Sequence, residues 1–137
     1  MSVAQLDHLN MSVESFSESV DWYRRVFGFE LVEEGLRLGH PWGVLKAGDA
    51  MLCIYERPGR RIADMEELDA TAHHGMRHFA LRITDGERWS RTVADEQLEL
   101  GWDSPVRYPH STSWYVRDPS GYEIEVALWD EDEIAFG

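Results

Sequence analysis

One cysteine, Cys53, stands in 137 residues, so no intrachain disulfide framework holds this fold. Basic residues are few. Lys and Arg number 13 against 26 Asp and Glu, a net charge of −13, which sets electrostatics against nucleic acid and anionic membrane as partners. No lysine follows Lys46. No apolar run is long enough to span a bilayer, and no basic start leading into an apolar stretch marks a secretory leader. The expectation is a cytoplasmic protein. Low-complexity tracts are missing too. What is there is a globular composition, 43% hydrophobic and 12% aromatic, in a chain long enough for one compact domain with a substantial core.

The chain reads as the same unit performed twice: strand, helix, three strands. "LDHLNMSV" opens the first half and "MRHFALRI" the second. In the first half "SFSE", Ser15 to Glu18, has the spacing of a capping box. Phe16, Val20, Tyr23 and Phe27 then give one apolar helical face, and Gly28 suits a left-handed cap. In the second half "TDGE", Thr84 to Glu87, is a weaker box, Trp89 and Val93 form the apolar face, and Gly101 closes the segment. The strands that follow are "FELVEE", "WGVLKA" and "AMLCIYE" in one half. In the other they are a weak piece near Val106, then "TSWYVR" and "GYEIEVAL". Between the halves, "RPGRRIADMEELDATAHHG" carries turn residues, mixed charge and no strand alternation, as a connector would. A unit repeating at about 70 residues does not easily close a core alone, so two should pair. The expected fold is α+β: two paired modules forming a curled mixed β-sheet cavity with helices outside. They make a single domain over 1–137, with module one at 5–57, the connector at 58–75 and module two at 76–130.

Side chains alternate across a strand. Leu9, Met11 and Val13 share one face of the first strand, Phe79, Leu81 and Ile83 one face of its counterpart, and Ile124, Val126 and Leu128 one face of the last strand. His8, His78 and Glu125 fall on the other side, which is either solvent or a cavity. Glu123, beside Glu125, suits the solvated version. The repeat adds weight to the cavity. His8 and His78 occupy matching places in the two halves, as do Cys53 and Glu125, so a pseudo-twofold would bring the four together. Two imidazoles and one carboxylate with open positions make the arrangement used by non-haem iron(II), and the same donors with a water suit zinc, nickel or manganese. Cys53 reads as a small buried residue rather than a ligand. His73 and His74, followed by Gly75 and strand residues, read as loop. Trp42 and Trp114 belong either to a cavity wall or to the core.

With those residues in place the chain resembles the vicinal oxygen chelate superfamily, which includes glyoxalase I, extradiol dioxygenases, fosfomycin-inactivating thiol transferases and bleomycin-binding proteins. "LDHLNMSVESFSESVDWYRRVFGFELVEE", "AMLCIYE", "GMRHFALRI" and "STSWYVRDPSGYEIEVALW" carry the match. The resemblance implies paired βαβββ modules, frequent homodimers, a small-molecule substrate, and metal ligands at His8, His78 and Glu125 that leave room to chelate two adjacent substrate oxygens. In many such dimers one chain supplies the first histidine and its partner the rest.

Departures sort the subfamilies. Glyoxalase I carries a fourth ligand, normally glutamate, where this chain has Cys53. The fosfomycin enzymes share "LC" in that strand and an S-x-Y matching Ser113 and Tyr115, but their phosphonate-gripping basic residues find no clear counterpart. Extradiol dioxygenases have a tyrosine three positions before the "DP" aspartate, which Tyr115 matches, and an upstream histidine for which His110 is the candidate. The first reading is an extradiol-type dioxygenase on a divalent ion, Fe(II) first with Mn, Ni or Zn as alternatives, in which Tyr115 and His110 orient substrate and trade protons. A glyoxalase-like lyase or isomerase, or a thiol transferase, on the same metal is the alternative chemistry. A metal-free drug-binding or resistance protein is the alternative without chemistry.

Overall fold

The computed structural model describes residues 2–137. It divides into two compact units, the first ending at Arg61 and the second running from Ile62 to Gly137. Each unit contains the same βαβββ module, and the class is α+β. The first holds β1 (Leu9–Val13), α1 (Phe16–Phe27), β2 (Glu30–Arg37), β3 (His40–Ala47) and β4 (Ala50–Glu56). The second holds α2 (Met65–Ala70), β5 (Phe79–Ile83), α3 (Gly86–Asp95), β6 (Gly101–Arg107), β7 (Ser111–Arg117) and β8 (Glu123–Trp129). The sheet orders match: β1-β4-β3-β2 in the first and β5-β8-β7-β6 in the second, with the opening strand parallel to the last and the other neighbours antiparallel. The parallel pair needs a long crossover, and the helix and two further strands of each module supply it.

In the parallel pairs the repeat holds residue by residue. Leu9 pairs with Leu52 and Asn10 with Cys53, while Phe79 pairs with Ile124 and Ala80 with Glu125. Cys53 therefore occupies in the first sheet the place Glu125 occupies in the second, as the spacing predicted. Alternation holds as well. Met11, Val13, Leu52 and Ile54 are buried in the first unit, and Ile124, Val126 and Val116 in the second.

Ser15 caps α1, its Oγ accepting from the Glu18 amide, and Gly28 closes the helix in the left-handed region at φ 71°. The buried stripe of α1 is Phe16, Ser19, Tyr23 and Val26. Val20 and Phe27 lie at its margin, half-buried. The cap of α3 is Asp85, not Thr84: its carboxylate accepts from the Arg88 amide. An aspartate side chain there reaches a first-turn amide and also complements the positive helix end, which Thr84 does not. Gly101 begins β6 instead of ending the helical segment. The connector hides a short helix, α2, whose Asp64 and Glu67 form a reciprocal capping box. Trp114 falls on the helix side of its sheet, edge-on to Trp89 with centroids 6.5 Å apart, and Trp42 stacks on Tyr55. Trp114 thus packs toward the helix, whereas Trp42, half-buried, lies with Tyr55 on the other face of its sheet.

Gly43 on β3 is required by close approach. A Cβ there would lie 2.7 Å from Leu31 Cδ1, 2.8 Å from the Glu33 carbonyl oxygen and 2.9 Å from Phe16 Cζ. The carbonyl is backbone and has little freedom to retreat. Gly43→Ala is therefore expected to cost about 1–3 kcal/mol through overpacking, read as a lower denaturant midpoint at unchanged slope.

Candidate metal centre and active site

The second unit builds its site on one face of β7 and β8. Ser113, Tyr115 and Arg117 alternate onto that face from β7, and Glu123 and Glu125 from β8, while Trp114, Val116, Ile124 and Val126 turn to the other. His78, one residue before β5, joins them: its Nε2 lies 3.0 Å from Glu125 Oε2. The other Glu125 oxygen accepts from Ser113 Oγ at 2.6 Å. On the far side of the imidazole, Nδ1 lies 3.7 Å from Glu123 Oε1, an ion-pair distance rather than a hydrogen bond. Glu123 in turn accepts from Trp102 Nε1 at 2.9 Å.

These donors fit a divalent ion. Two donors bound side by side to an octahedral ion at about 2.1 Å lie about 3.0 Å apart, the separation found between His78 Nε2 and Glu125 Oε2. Ser113 holds the carboxylate, and Glu123 stands beyond the other imidazole nitrogen, the outer partners that orient ligands in such sites. Among the described residues, no group of three His, Cys, Asp or Glu gathers closely enough to hold an ion; the second unit brings two candidate donors, His78 and Glu125, into direct contact. His8 belongs to the first unit. It precedes β1, half exposed at 43%, with Nδ1 2.7 Å from Asp7 Oδ2. Burial, then the charges of Asp7 and Glu33, push the Cys53 thiol pKa up, so the thiolate is disfavoured.

Tyr115 is buried beside the pair, its ring edge-on to His78 with centroids 5.6 Å apart. Its hydroxyl shares a 2.9 Å hydrogen bond with that of Tyr108. Burial, the bond to Tyr108 and the charge of Glu125 raise its pKa far above the ordinary tyrosine value, so the phenol stays protonated. His110 is not brought to this group. It sits exposed in the β6–β7 turn, where its carbonyl accepts from the Asp130 amide. His73 and His74 are exposed loop residues.

Tyr108 and Trp102 are site residues that the sequence did not disclose. Trp102 arrives through an irregular excursion: Gly101 pairs with Tyr115 and Val106 with Ser113, leaving four residues to bulge out. Trp102 and Asp103 are left-handed at φ 56° and 52°, a conformation costing about 1–2 kcal/mol for each non-glycine residue. Ser104 Oγ pins the excursion by accepting from the Tyr115 amide at 3.0 Å. The strained backbone delivers the Trp102 ring to Tyr115, with centroids 6.2 Å apart.

In front of His78 and Tyr115 lies a cavity of about 470 Å³, within the range of small-molecule sites, with Trp102, Tyr108, Tyr122 and Met76 among its walls. Among the described residues no helix is long and apolar enough to cross a membrane.

The chain resembles known proteins over nearly its whole length. It is 23% identical over 133 residues to metallothiol transferase FosB of Staphylococcus epidermidis, covering 92% of this chain and 82% of the relative. Its fold matches the crystal structure of a glyoxalase family protein from Enterococcus faecalis at a TM-score of 0.74, with 19% identity over 90% of this chain and 97% of that one. It also matches TnmS3, an antibiotic binding protein from Streptomyces sp. CB03234, at 0.68, with 18% identity over 94% and 98%. The family model for the glyoxalase/bleomycin resistance protein/dioxygenase superfamily covers residues 5–126, and the chain belongs to that superfamily.

Proposed function

We propose that this protein is a metal-dependent enzyme that grips a small substrate through two adjacent oxygens, and that it acts as an extradiol-type dioxygenase on a catechol-like ring. The observation that carries the reading is the 3.0 Å approach of His78 Nε2 to Glu125 Oε2, with His78 also lining an aromatic-walled cavity. His8, from the first unit of this chain or of a second copy, is the proposed third ligand, with the two modules working as one domain. Bound to these donors, Fe(II) supplies Lewis acidity toward the two substrate oxygens and redox chemistry with dioxygen. The overall reaction breaks the ring bond beside the diol and places both atoms of O₂ in the ring-opened product.

The chain's own residues do the rest. Trp102, Tyr108 and Tyr122 wall a flat substrate and displace water around it. Tyr115, a neutral donor, directs its hydroxyl hydrogen to a substrate oxygen and accepts from the Tyr108 hydroxyl, which can replace a proton it gives up. These two take the acid/base role in place of the distant His110. A thiol transferase is the second reading, favoured by the likeness to metallothiol transferase FosB and by the Ser113 and Tyr115 pair.

The test is anaerobic reconstitution of chelator-treated protein with Fe(II), then oxygen uptake on a panel of catechols. Uptake of one O₂ per ring opened is expected. Tyr115→Phe is expected to cut kcat by about 10²–10⁴ while metal binding persists. Metal binding without uptake on any diol, joined to thiol-adduct turnover under Ni or Mn, would overturn the dioxygenase reading.

A further inference from the structure

The same cavity has basic as well as acidic side chains in its wall. Asp and Glu outnumber Lys and Arg by 26 to 13, yet two arginines, Arg77 and Arg117, line its wall. Neither guanidinium has a hydrogen bond or ion pair among the described residues. The same wall also holds two carboxylates, each accepting a hydrogen bond from a neutral donor. Asp64 caps α2 by accepting from the Glu67 amide, and Glu123 accepts from Trp102. Position matters as much as charge. Arg117 shares the site face with Tyr115 two residues along β7, a step of about 7 Å, roughly one aromatic ring with its substituents. Arg77 adjoins His78. Glu123 stands between Arg117, its cross-strand partner, and the His78 imidazole, and the rest of the wall offers aromatic and apolar surface open to ligand: Trp102 is 65% exposed and Met76 50%.

Resting on the reading of this cavity as a substrate site, we propose that its ligand is an aromatic acid. Its carboxylate pairs with Arg77 and Arg117, its ring lies against Trp102 and Tyr108, and its ring oxygens turn toward His78. Planar guanidinium groups match a carboxylate in two parallel hydrogen bonds and also stack on rings. A neutral catechol would leave both arginines without a partner.

Binding of the carboxylate needs no metal, so the test uses chelator-treated protein. Isothermal titration with 3,4-dihydroxybenzoate and with catechol is expected to show the acid bound at least about 10-fold tighter, the scale of a hydrogen bond to a charged group. Arg77→Gln and Arg117→Gln together should erase the difference between the two ligands. Arg117→Lys, which keeps the charge and loses the fork, should retain part of it; thermal melts confirm that each variant is folded. Equal affinity for the two ligands overturns the proposal, as does a preference that survives the double replacement. Tighter binding of the corresponding aryl phosphonate overturns the assignment to carboxylates. Absence of oxygen uptake with Fe(II) would sink ring opening and leave this inference standing, whereas loss of the acid's advantage sinks the inference and leaves ring opening standing.

Discussion

Glu125→Gln is expected to weaken divalent-ion binding by more than about 100-fold, measured by equilibrium dialysis with Mn(II) and by metal content after Fe(II) loading. The reasoning is graded. Replacing an outer residue that only orients a ligand typically costs about 10–100-fold in affinity, and Ser113→Ala, which frees one Glu125 oxygen from its 2.6 Å hydrogen bond, belongs to that class. Glu125→Gln removes the charge and a ligand oxygen together, so it must exceed Ser113→Ala. Glutamine keeps the size and an oxygen able to accept from Ser113, so the metal-free fold should survive and far-UV circular dichroism should be unchanged. His78→Ala should match Glu125→Gln in its effect on the ion. Acidification should weaken binding in the wild type, because protons compete for the same imidazole and carboxylate lone pairs. If Glu125→Gln binds the ion as tightly as the wild type, the 3.0 Å contact is a plain ion pair of the metal-free sheet, and the metalloenzyme reading falls with it.

That pair was legible because β-structure carries its own ruler. Alternation put Glu125 opposite Ile124 and Val126, and the 70- and 72-residue spacings predicted that His8 corresponds to His78 and Cys53 to Glu125. The two parallel registers, Asn10 with Cys53 and Ala80 with Glu125, give the second correspondence directly. The cap at Ser15 was legible for the same local reason: its bond to Glu18 spans three residues. The Asp64–Glu67 box of α2 was equally local, but it sat in a stretch that reads as turns, and a six-residue helix with no buried face leaves little hydrophobic period. Trp102 and Tyr108 were out of reach for other reasons. The position of Trp102 depends on a four-residue bulge with two left-handed residues, which breaks the period-two rule, whereas Tyr108 follows the regular register of Val106 with Ser113 in a strand whose own pattern is weak. The hydroxyl contact of Tyr108 with Tyr115 joins residues seven apart across the β6–β7 hairpin.

The strand that holds the site also anchors the unit, and Ile124→Ala is expected to show it. Ile124 is fully buried, paired with Phe79 on one side and Val116 on the other. Its side chain points away from Glu123 and Glu125, into the face shared with Val126. Truncation to alanine removes three carbons from a close-packed position that has no solvent to fill the gap, a loss of about 2–5 kcal/mol. Domains of this size hold only about 5–15 kcal/mol in total, so a fall in Tm of about 10 °C or more is expected by calorimetry. Ile124→Val, which leaves a much smaller void, should cost only about 0.5–1.5 kcal/mol. The comparison separates packing from chemistry on one strand. Ile124→Ala should lower the melting temperature while leaving metal content near wild type well below the transition, and Glu125→Gln should do the reverse. A melt for Ile124→Ala within a degree or two of wild type would mean that the helix side of β8 is not the packed core, and the site would then lack the rigid backing that holds His78 and Glu125 in place.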